Sequence, residues 1–390
     1  MKEEKTEIKP EFLGMASINS FIPNTSSPRG VMLGSHFSSH LPILSPDSKL
    51  IKSGTEFELG KYINHVTTNK DCIVKAVIPR YGNYGLDKVP EYLVIIEYEE
   101  NNNLFLDYIE VKTFESTHTF FGYKLHLTDE FKDIMINQKL NRDTILSKAD
   151  SYSKDGSYAY GINANIVMMT HPSVSEDGYV VSESFLNKTK FDTIAKRVIN
   201  INKNTLPINM YGNDEVFNFI PNIGYKVRAD GLLCAMRERN DWFNITDISN
   251  TSLREVDMNF DILTYVSPDS IVVDVKVLKG NYNKSEFTNK MASQLDTYAD
   301  MLITYNKNII SQVNQILTEK KSMYGNTEYV RMSPKLHRLL TDTQIIIDSS
   351  ANNKIKLCYR KLPIDQYRIE ITTMATIKPN LGFKITDIHA

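Results

Sequence analysis

The sequence predicts a mixed fold, mainly β with added α, and three observations carry that prediction. Short runs of β-branched and aromatic residues, bounded by turn residues, recur along the chain at 72–79, 92–98, 104–113, 193–202, 270–278 and 367–376. One long stripe, Leu295, Tyr298, Leu302, Tyr305, Ile309, Val313 and Ile316, is spaced 3, 4, 3, 4, 4, 3 and predicts a helix over 293–320. Composition is ordinary for a globular protein, with 41% hydrophobic and 24% charged residues in 390. A chain of that length buries a sizeable core and divides into more than one domain.

Taken in order, residues 1–14 read as a solvated lead-in. Ser26, Ser27, Pro28 and Gly30 mark a turn beside Arg29, and Val31-Met32-Leu33 start a helix behind the serines. Residues 56–150 alternate strands with polar turns, and Asn101-Asn102-Asn103 is a hairpin tip. A short helix is expected over 185–192 and an extended segment over 193–202. The 293–320 stripe suits a packed hairpin or core helix better than a zipper for a partner. Tyr367–Thr376 reads as a strand and Pro379-Asn380-Leu381-Gly382 as a turn.

The stretch around which the rest is organised runs from Gly161 to Ser184. Asn165-Ile166-Val167-Met168-Met169 and Tyr179-Val180-Val181 predict two fully buried strands, because both are short apolar runs without alternation. The loop between them carries His171, Pro172, Ser175, Glu176 and Asp177. An acidic pair at the lip of buried strands is positioned to hold a metal ion or orient a phosphate. The plain alternative is that Glu176 and Asp177 solvate a turn ending at Gly178. Neighbouring residues of an extended chain face opposite ways, so the two carboxylates do not form a matched acid/base pair.

Net charge is −2, so no global basic field draws the chain to nucleic acid, and any such contact must come from local cations. Cys72, Cys234 and Cys358 lie far apart without a CxxC, which excludes a zinc ribbon and a disulfide framework. There is no GxxxxGK[ST] phosphate loop. No apolar run approaches transmembrane length and the N-terminus is too polar for a signal peptide, so a soluble, intracellular protein without membrane contact is expected.

Asn163, Met169, Glu176-Asp177 and Ser182-Glu183 fit a strand of the form N-V-L-V-A-F-M followed by P-W-N-G-Y-N-F-E-D-A-I-x-x-S-E. This stretch resembles the second-largest (β) subunit of multisubunit DNA-dependent RNA polymerases. His171-Pro172-Ser173-Val174-Ser175 replaces the family's P-W-N-G-Y-N, with one residue fewer. The flanks follow the same family in order. The Ser-Pro-Arg block at 27–29 resembles its N-x-R-A-L-M-G-S-N-M-Q-R-Q block, with Ser38-Ser39-His40 where a second arginine belongs. There His36 and His40 are expected to pack rather than replace that cation. Residues 140–162, 220–236 and 270–278 resemble the approach to the barrel, the entry to the flap and the flap's return strand. The closing residues resemble V-K-V-y…G-D-K-m-a-G-R-H-G-N-K-G, with Lys384 on the first lysine and His389 on the histidine.

What the resemblance implies is a double-psi β-barrel core with an inserted flap and a helical segment. The corresponding division is 1–55, contributing to the nucleotide and RNA site; 56–160, a mixed β region; 161–219, the first part of the barrel; 220–360, flap and helical insertion; and 361–390, a return strand with a truncated active-site loop. The implied chemistry is nucleotidyl transfer, in which an RNA 3′-hydroxyl attacks the α-phosphate of a nucleoside triphosphate and pyrophosphate leaves, with magnesium offsetting the charge. Arg29 would face the triphosphate, Lys384 and His389 the RNA 3′ end, and Asp177 with Glu176 would approach nucleotide-bound Mg²⁺ through water. No residue here need act as nucleophile or base. The chain has no D-x-D-G-D, so the magnesium would be held mainly by a largest (β′-like) subunit. The implied partners are that subunit, a separate front half of β, a polypeptide or continuation carrying the N-K-G segment, template DNA, nascent RNA and NTPs. Split β genes fit a large bacteriophage, with the protein in host cytoplasm or virion. The rival readings are a non-catalytic structural or virion protein that retains the barrel fold, and an unrelated carboxylate hydrolase using Glu176 and Asp177.

Overall fold

The computed structural model describes residues 14–62, 65–82, 89–116, 122–174, 178–202, 204–238, 254–279, 289–324, 330–351, 356–357, 360–361 and 367–380. It is mixed α/β with several sheets, and the described residues form no closed barrel.

The largest sheet has five strands, in the order Val330–Met332, Asn103–Lys112, Glu91–Glu100, Cys72–Pro79, Lys139–Leu140. Its central hairpin turns where the asparagine run predicts. Glu100 pairs with Asn103, and Asn101 and Asn102 adopt φ of 51° and 59°. Two consecutive positive-φ residues give a two-residue turn whose twist matches that of the strands, and asparagine tolerates the conformation best after glycine. Cys72–Pro79 alternates buried and half-buried residues, whereas six consecutive residues of Glu91–Glu100 are buried. The difference follows from position: the central strand is covered on both faces. Ile95 and Leu93 pack beneath the helices, while Val94, Ile96 and Tyr92 pack against Phe131, Leu140 and Leu146 on the other side.

A second sheet sets Tyr367–Ile377 between Phe191–Ile201 and Ile271–Lys279, antiparallel to both. Its core includes Ile199, Val275, Ile369 and Ile371, closed by Phe219, Ile220 and Ile223. A third sheet pairs Leu232–Glu238 with Thr205–Pro207 and Asp261–Tyr265.

The predicted helix runs over Asn289–Tyr324, about 54 Å at 1.5 Å per residue, and every residue of its apolar stripe is buried. Leu295 and Tyr298 belong to the core of the second sheet, and Tyr305, Ile309, Val313 and Ile316 to that of the first. One helix therefore spans both cores. It forms a hairpin with Pro334–Ala351, whose start is capped by Ser333 Oγ accepting from Leu336 N at 3.0 Å.

Cys72 and Cys234 are buried free thiols, whose pKa values burial pushes up to about 11 and about 12. Among the described residues no helix is long and apolar enough to cross a membrane.

His126 Nε2 lies 3.2 Å from Asp150 Oδ1. That hydrogen bond holds the Asp150 carboxyl below its ordinary pKa against the opposing effect of burial, helped by a backbone bond from Ser45. A lowered folded-state pKa gives stability that is present above the unfolded value and lost as pH falls through the folded one. Asp150→Asn is therefore expected to cost on the order of 1 kcal/mol at pH 7, with the gap to the parent chain closing towards pH 3. Urea melts at the two pH values measure it; a gap that widens on acidification contradicts this account.

Candidate functional site

The helix bearing Arg29 spans Ser27–Ser38, starting earlier than the sequence predicts because Pro28 is at home in a first turn. Ser26 stands at the N-cap position, but its side chain makes no cap hydrogen bond. Gly30 is buried against Ile22, and a Cβ there would stand 2.9 Å from Ile22 Cδ1. The absent side chain lets the helix lie close to the preceding turn and leaves its neighbour Arg29 on the exposed side. Arg29 Nη1 has one soft contact, Met32 Sδ at 3.9 Å. A guanidinium that is exposed and weakly engaged can meet an anion without first breaking an ion pair.

The segment after this helix fastens it to both ends of the 161–190 stretch. On one side Asp47 N donates to Gly161 O at 2.8 Å, Asn163 N to Asp47 Oδ2 at 3.0 Å, and Asn163 Nδ2 to Ser48 O at 2.9 Å. On the other side Ile43 bridges Phe191, and Leu44 N donates to Lys190 O at 2.8 Å. His40 packs among Tyr158 and Tyr160. With Nδ1 donating to the Phe37 carbonyl, Nε2 is left to accept from the Tyr158 hydroxyl at 2.6 Å. Burial pushes the Tyr158 pKa up and keeps the hydroxyl a neutral donor. His40 thus packs, as expected.

The loop itself is entered through a turn in which Val174 N donates to His171 O at 3.0 Å and Ser173 N to His171 Nδ1 at 3.1 Å. It leaves through Ser182, whose hydroxyl caps the Glu183–Lys188 helix by accepting from Phe185 N at 3.2 Å. Lys378 Nζ reaches Glu183 Oε1 at 3.3 Å, so the chain leading towards residue 384 departs beside the exit of this loop. Glu176, Asp177, Lys384 and His389 themselves lie outside the described residues.

One expectation is corrected here. The segments 165–169 and 179–181 are not buried strands: no strand is assigned, and Ile166, Val167, Met168 and Met169 are 66%, 78%, 85% and 70% exposed. An apolar run becomes a buried strand only if other strands flank it and other layers cover it, and among the described residues none does so.

Among the described residues no group of three His, Cys, Asp or Glu side chains could hold a metal ion. Glu176 and Asp177 supply hard oxygen donors of the kind magnesium takes, and two carboxylates with waters suit it better than a closed protein cage.

Sequence reasoning missed a buried charge seam between the two main sheets. Arg80 Nη2 bonds Asp274 Oδ2 at 2.7 Å and Nη1 meets Glu91 Oε2 at 3.2 Å; Arg80 and Asp274 are almost fully buried. Tyr81 adds a hydrogen bond from its hydroxyl to Val275 O at 2.6 Å. Burial pushes Asp274 up and Arg80 opposes it, while burial and the nearby Arg80 charge lower Lys276. A cleft of about 500 Å³, walled by His65, Lys70, Tyr98, Tyr108, Lys112 and Lys335, shares no residue with the sequence-predicted set. No protein-family model matches this chain, and no curated protein matches it.

Proposed function

We propose that this chain is part of a multisubunit DNA-directed RNA polymerase, contributing to the surroundings of the NTP, the RNA 3′ end and magnesium during templated RNA synthesis. It corresponds to the back half of a β subunit and works only in a complex. The observation that supports this best is the stitching just described. The segment after the Arg29 helix is bonded to both ends of the 161–190 stretch that carries Glu176 and Asp177, and Lys378, six residues before Lys384, is paired with Glu183 within that stretch. Three stretches far apart in sequence, which carry Arg29, the Glu176-Asp177 pair, and Lys384 with His389, are thereby tied to one another.

In this reading Arg29 binds and orients the triphosphate, for which its planar fork is suited. Lys384 offsets negative charge near the attacking 3′ oxygen. Asp177, with Glu176 beside it, faces magnesium carried by the nucleotide and held mainly by the partner subunit. When bound, the metal stabilises negative charge on the oxygens that attack and leave. The complete fold this reading requires is a double-psi β-barrel, whose remaining strands other polypeptide would provide.

One observation favours a second reading, a non-catalytic structural or virion protein. Where a second phosphate-facing arginine belongs, His40 is engaged by Tyr158 and the Phe37 carbonyl. A single experiment separates the two. The purified chain should make no RNA alone, and templated synthesis should appear only when a largest-subunit-like partner carrying the magnesium carboxylates is added. Synthesis by the chain alone contradicts the assignment, and a correctly assembled complex without synthesis favours the structural protein.

A further inference from the structure

The five-stranded sheet has a stretch of open edge. Val330–Met332 pairs with Leu104–Leu106 only, and after Ser333 N donates to Leu106 O at 2.8 Å the chain turns out of the sheet into the Pro334–Ala351 helix. That helix packs Leu336, Leu339 and Leu340 onto the sheet face that holds Leu106 and Tyr108. Among the described residues no strand takes the same edge beyond Leu106.

In an antiparallel strand the N–H and C=O of one residue point the same way, and those of the next point the other way. Thr113 N donates to Pro90 O on the Glu91–Glu100 side, so the backbone groups of Tyr108, Glu110 and Lys112 face the open side. Side chains close off those of Tyr108: its N–H donates to Asp107 Oδ1 at 2.8 Å, and its C=O accepts from Lys335 Nζ at 3.1 Å. Those of Glu110 and Lys112 meet no described residue. Both residues line the cleft of about 500 Å³, a volume within the range of ligand sites.

Charge restricts what fills this cleft. Three lysines and three carboxylates line it. Lys70 bonds Glu100 at 2.6 Å and Lys112 bonds Glu115 at 3.0 Å. Among the described residues Lys335 has no carboxylate, only the Tyr108 carbonyl and the Tyr108 ring, 4.1 Å from its ammonium. A polyanion such as a nucleic acid would find one unspent cation and meet opposition from Glu110. The rings are engaged as well, Tyr98 by Lys70 and by stacked Phe105, and Tyr108 by Lys335. A neutral extended backbone with a single carboxylate fits the cleft better.

We propose that this cleft binds the C-terminal end of another protein as a short strand, paired antiparallel to Ile109–Lys112, with its terminal carboxylate on Lys335. The edge groups of Glu110 and Lys112 supply main-chain pairing, as in strand addition. Pairing stops at Tyr108, whose edge groups are already taken, and there the Lys335 ammonium has two donors left for a carboxylate. Alternate side chains of the ligand would meet Val66, Ile96 and Ile109. The cleft shares no residue with the proposed nucleotide site, so the inference stands or falls separately from the assignment to a polymerase.

The test titrates the full chain into a fluorescein-labelled octapeptide of alternating threonine and valine, read by anisotropy. The peptide with a free C-terminal carboxylate should bind at least about 10-fold more tightly than its C-terminal amide, the factor carried by one charge-assisted hydrogen bond. Lys335→Met should lower binding of the acid to that of the amide, and N-methylation of the edge-facing peptide residues should abolish it. With peptide bound, the amides of Glu110 and Lys112 should exchange at least about 10-fold more slowly, while those of Leu93–Ile95 stay slow throughout. No saturation by the acid below about 1 mM overturns the proposal. So does equal binding of acid and amide, protection that leaves out Glu110 and Lys112, or unchanged binding to Lys335→Met. Displacement of the peptide by an oligothymidylate, or by a second copy of the chain in a dimer, gives the cleft to nucleic acid or to self-association and equally overturns it.

Discussion

Replacing Asp177 by alanine in the assembled complex is expected to slow RNA elongation by about 10²–10³-fold, the scale set by losing one preorganised electrostatic contact to a transition state. Lys384→Ala should cost a similar factor. Both residues are assigned to charge that develops as the 3′ oxygen attacks and pyrophosphate departs, so the loss should appear in the rate at saturating NTP. Under the proposed assignment template affinity should barely change, because phosphate contacts elsewhere would provide it and its salt dependence would follow their number. Arg29→Ala differs in kind: the triphosphate is charged before and after the chemical step, so much of that effect should fall on the NTP concentration needed. Single-nucleotide addition measured on an intact complex distinguishes the three. Normal elongation with both Asp177→Ala and Lys384→Ala would return the acidic pair to the role of solvating a turn.

Arg80→Met is expected to lower the unfolding free energy by roughly 3–5 kcal/mol, because it leaves buried carboxylates without their cation. Asp274 is close to fully buried and takes 2.7 Å of approach from Arg80, and Glu91 takes 3.2 Å. The pair need not itself be worth that much. Two charges removed from water lose hydration that their mutual attraction only partly offsets, so Arg80→Met with Asp274→Leu should recover most of the loss. Chemical denaturation of the three variants measures the difference. A single variant within 1 kcal/mol of the parent would mean that water reaches the seam and screens it.

The parts of this fold legible in the sequence were those governed by nearest neighbours. Cys72–Pro79 was bounded to the residue as a short run of β-branched residues between polar turns, and the hairpin tip by its asparagines. The stripe from Leu295 to Ile316 specified a helix and its buried face. The Pro334–Ala351 helix was overlooked although Ser333-Pro334 and the spacing of Leu336, Leu339 and Leu340 announce it. Other features depend on residues far apart. Nothing near Arg80 signals that its partner lies at 274. The stretch at 165–169 is the instructive failure. Its apolar run shows that these residues favour burial, but periodicity carries no information on whether the covering layer belongs to the same chain. For the site the limits are similar: Arg29 stands exposed on its helix, while the acidic pair, Lys384 and His389 lie outside the described residues.

The order of strands in the second sheet also sets a schedule. Among the described residues Tyr367–Ile377 is the last long strand to be made, and it lies in the middle, bonded along its length to Phe191–Ile201 and Ile271–Lys279. Until the ribosome reaches it, neither of the outer strands has its neighbour in that sheet. Ile201 waits for Tyr367 across about 170 residues, roughly ten to thirty seconds at about 5–20 residues per second. During that interval Ile194, Ile199, Val275 and Val277, all buried at the end, are without their cover. Nascent chains halted before residue 367 should therefore engage holdase chaperones, and chains released after Ile377 should let them go.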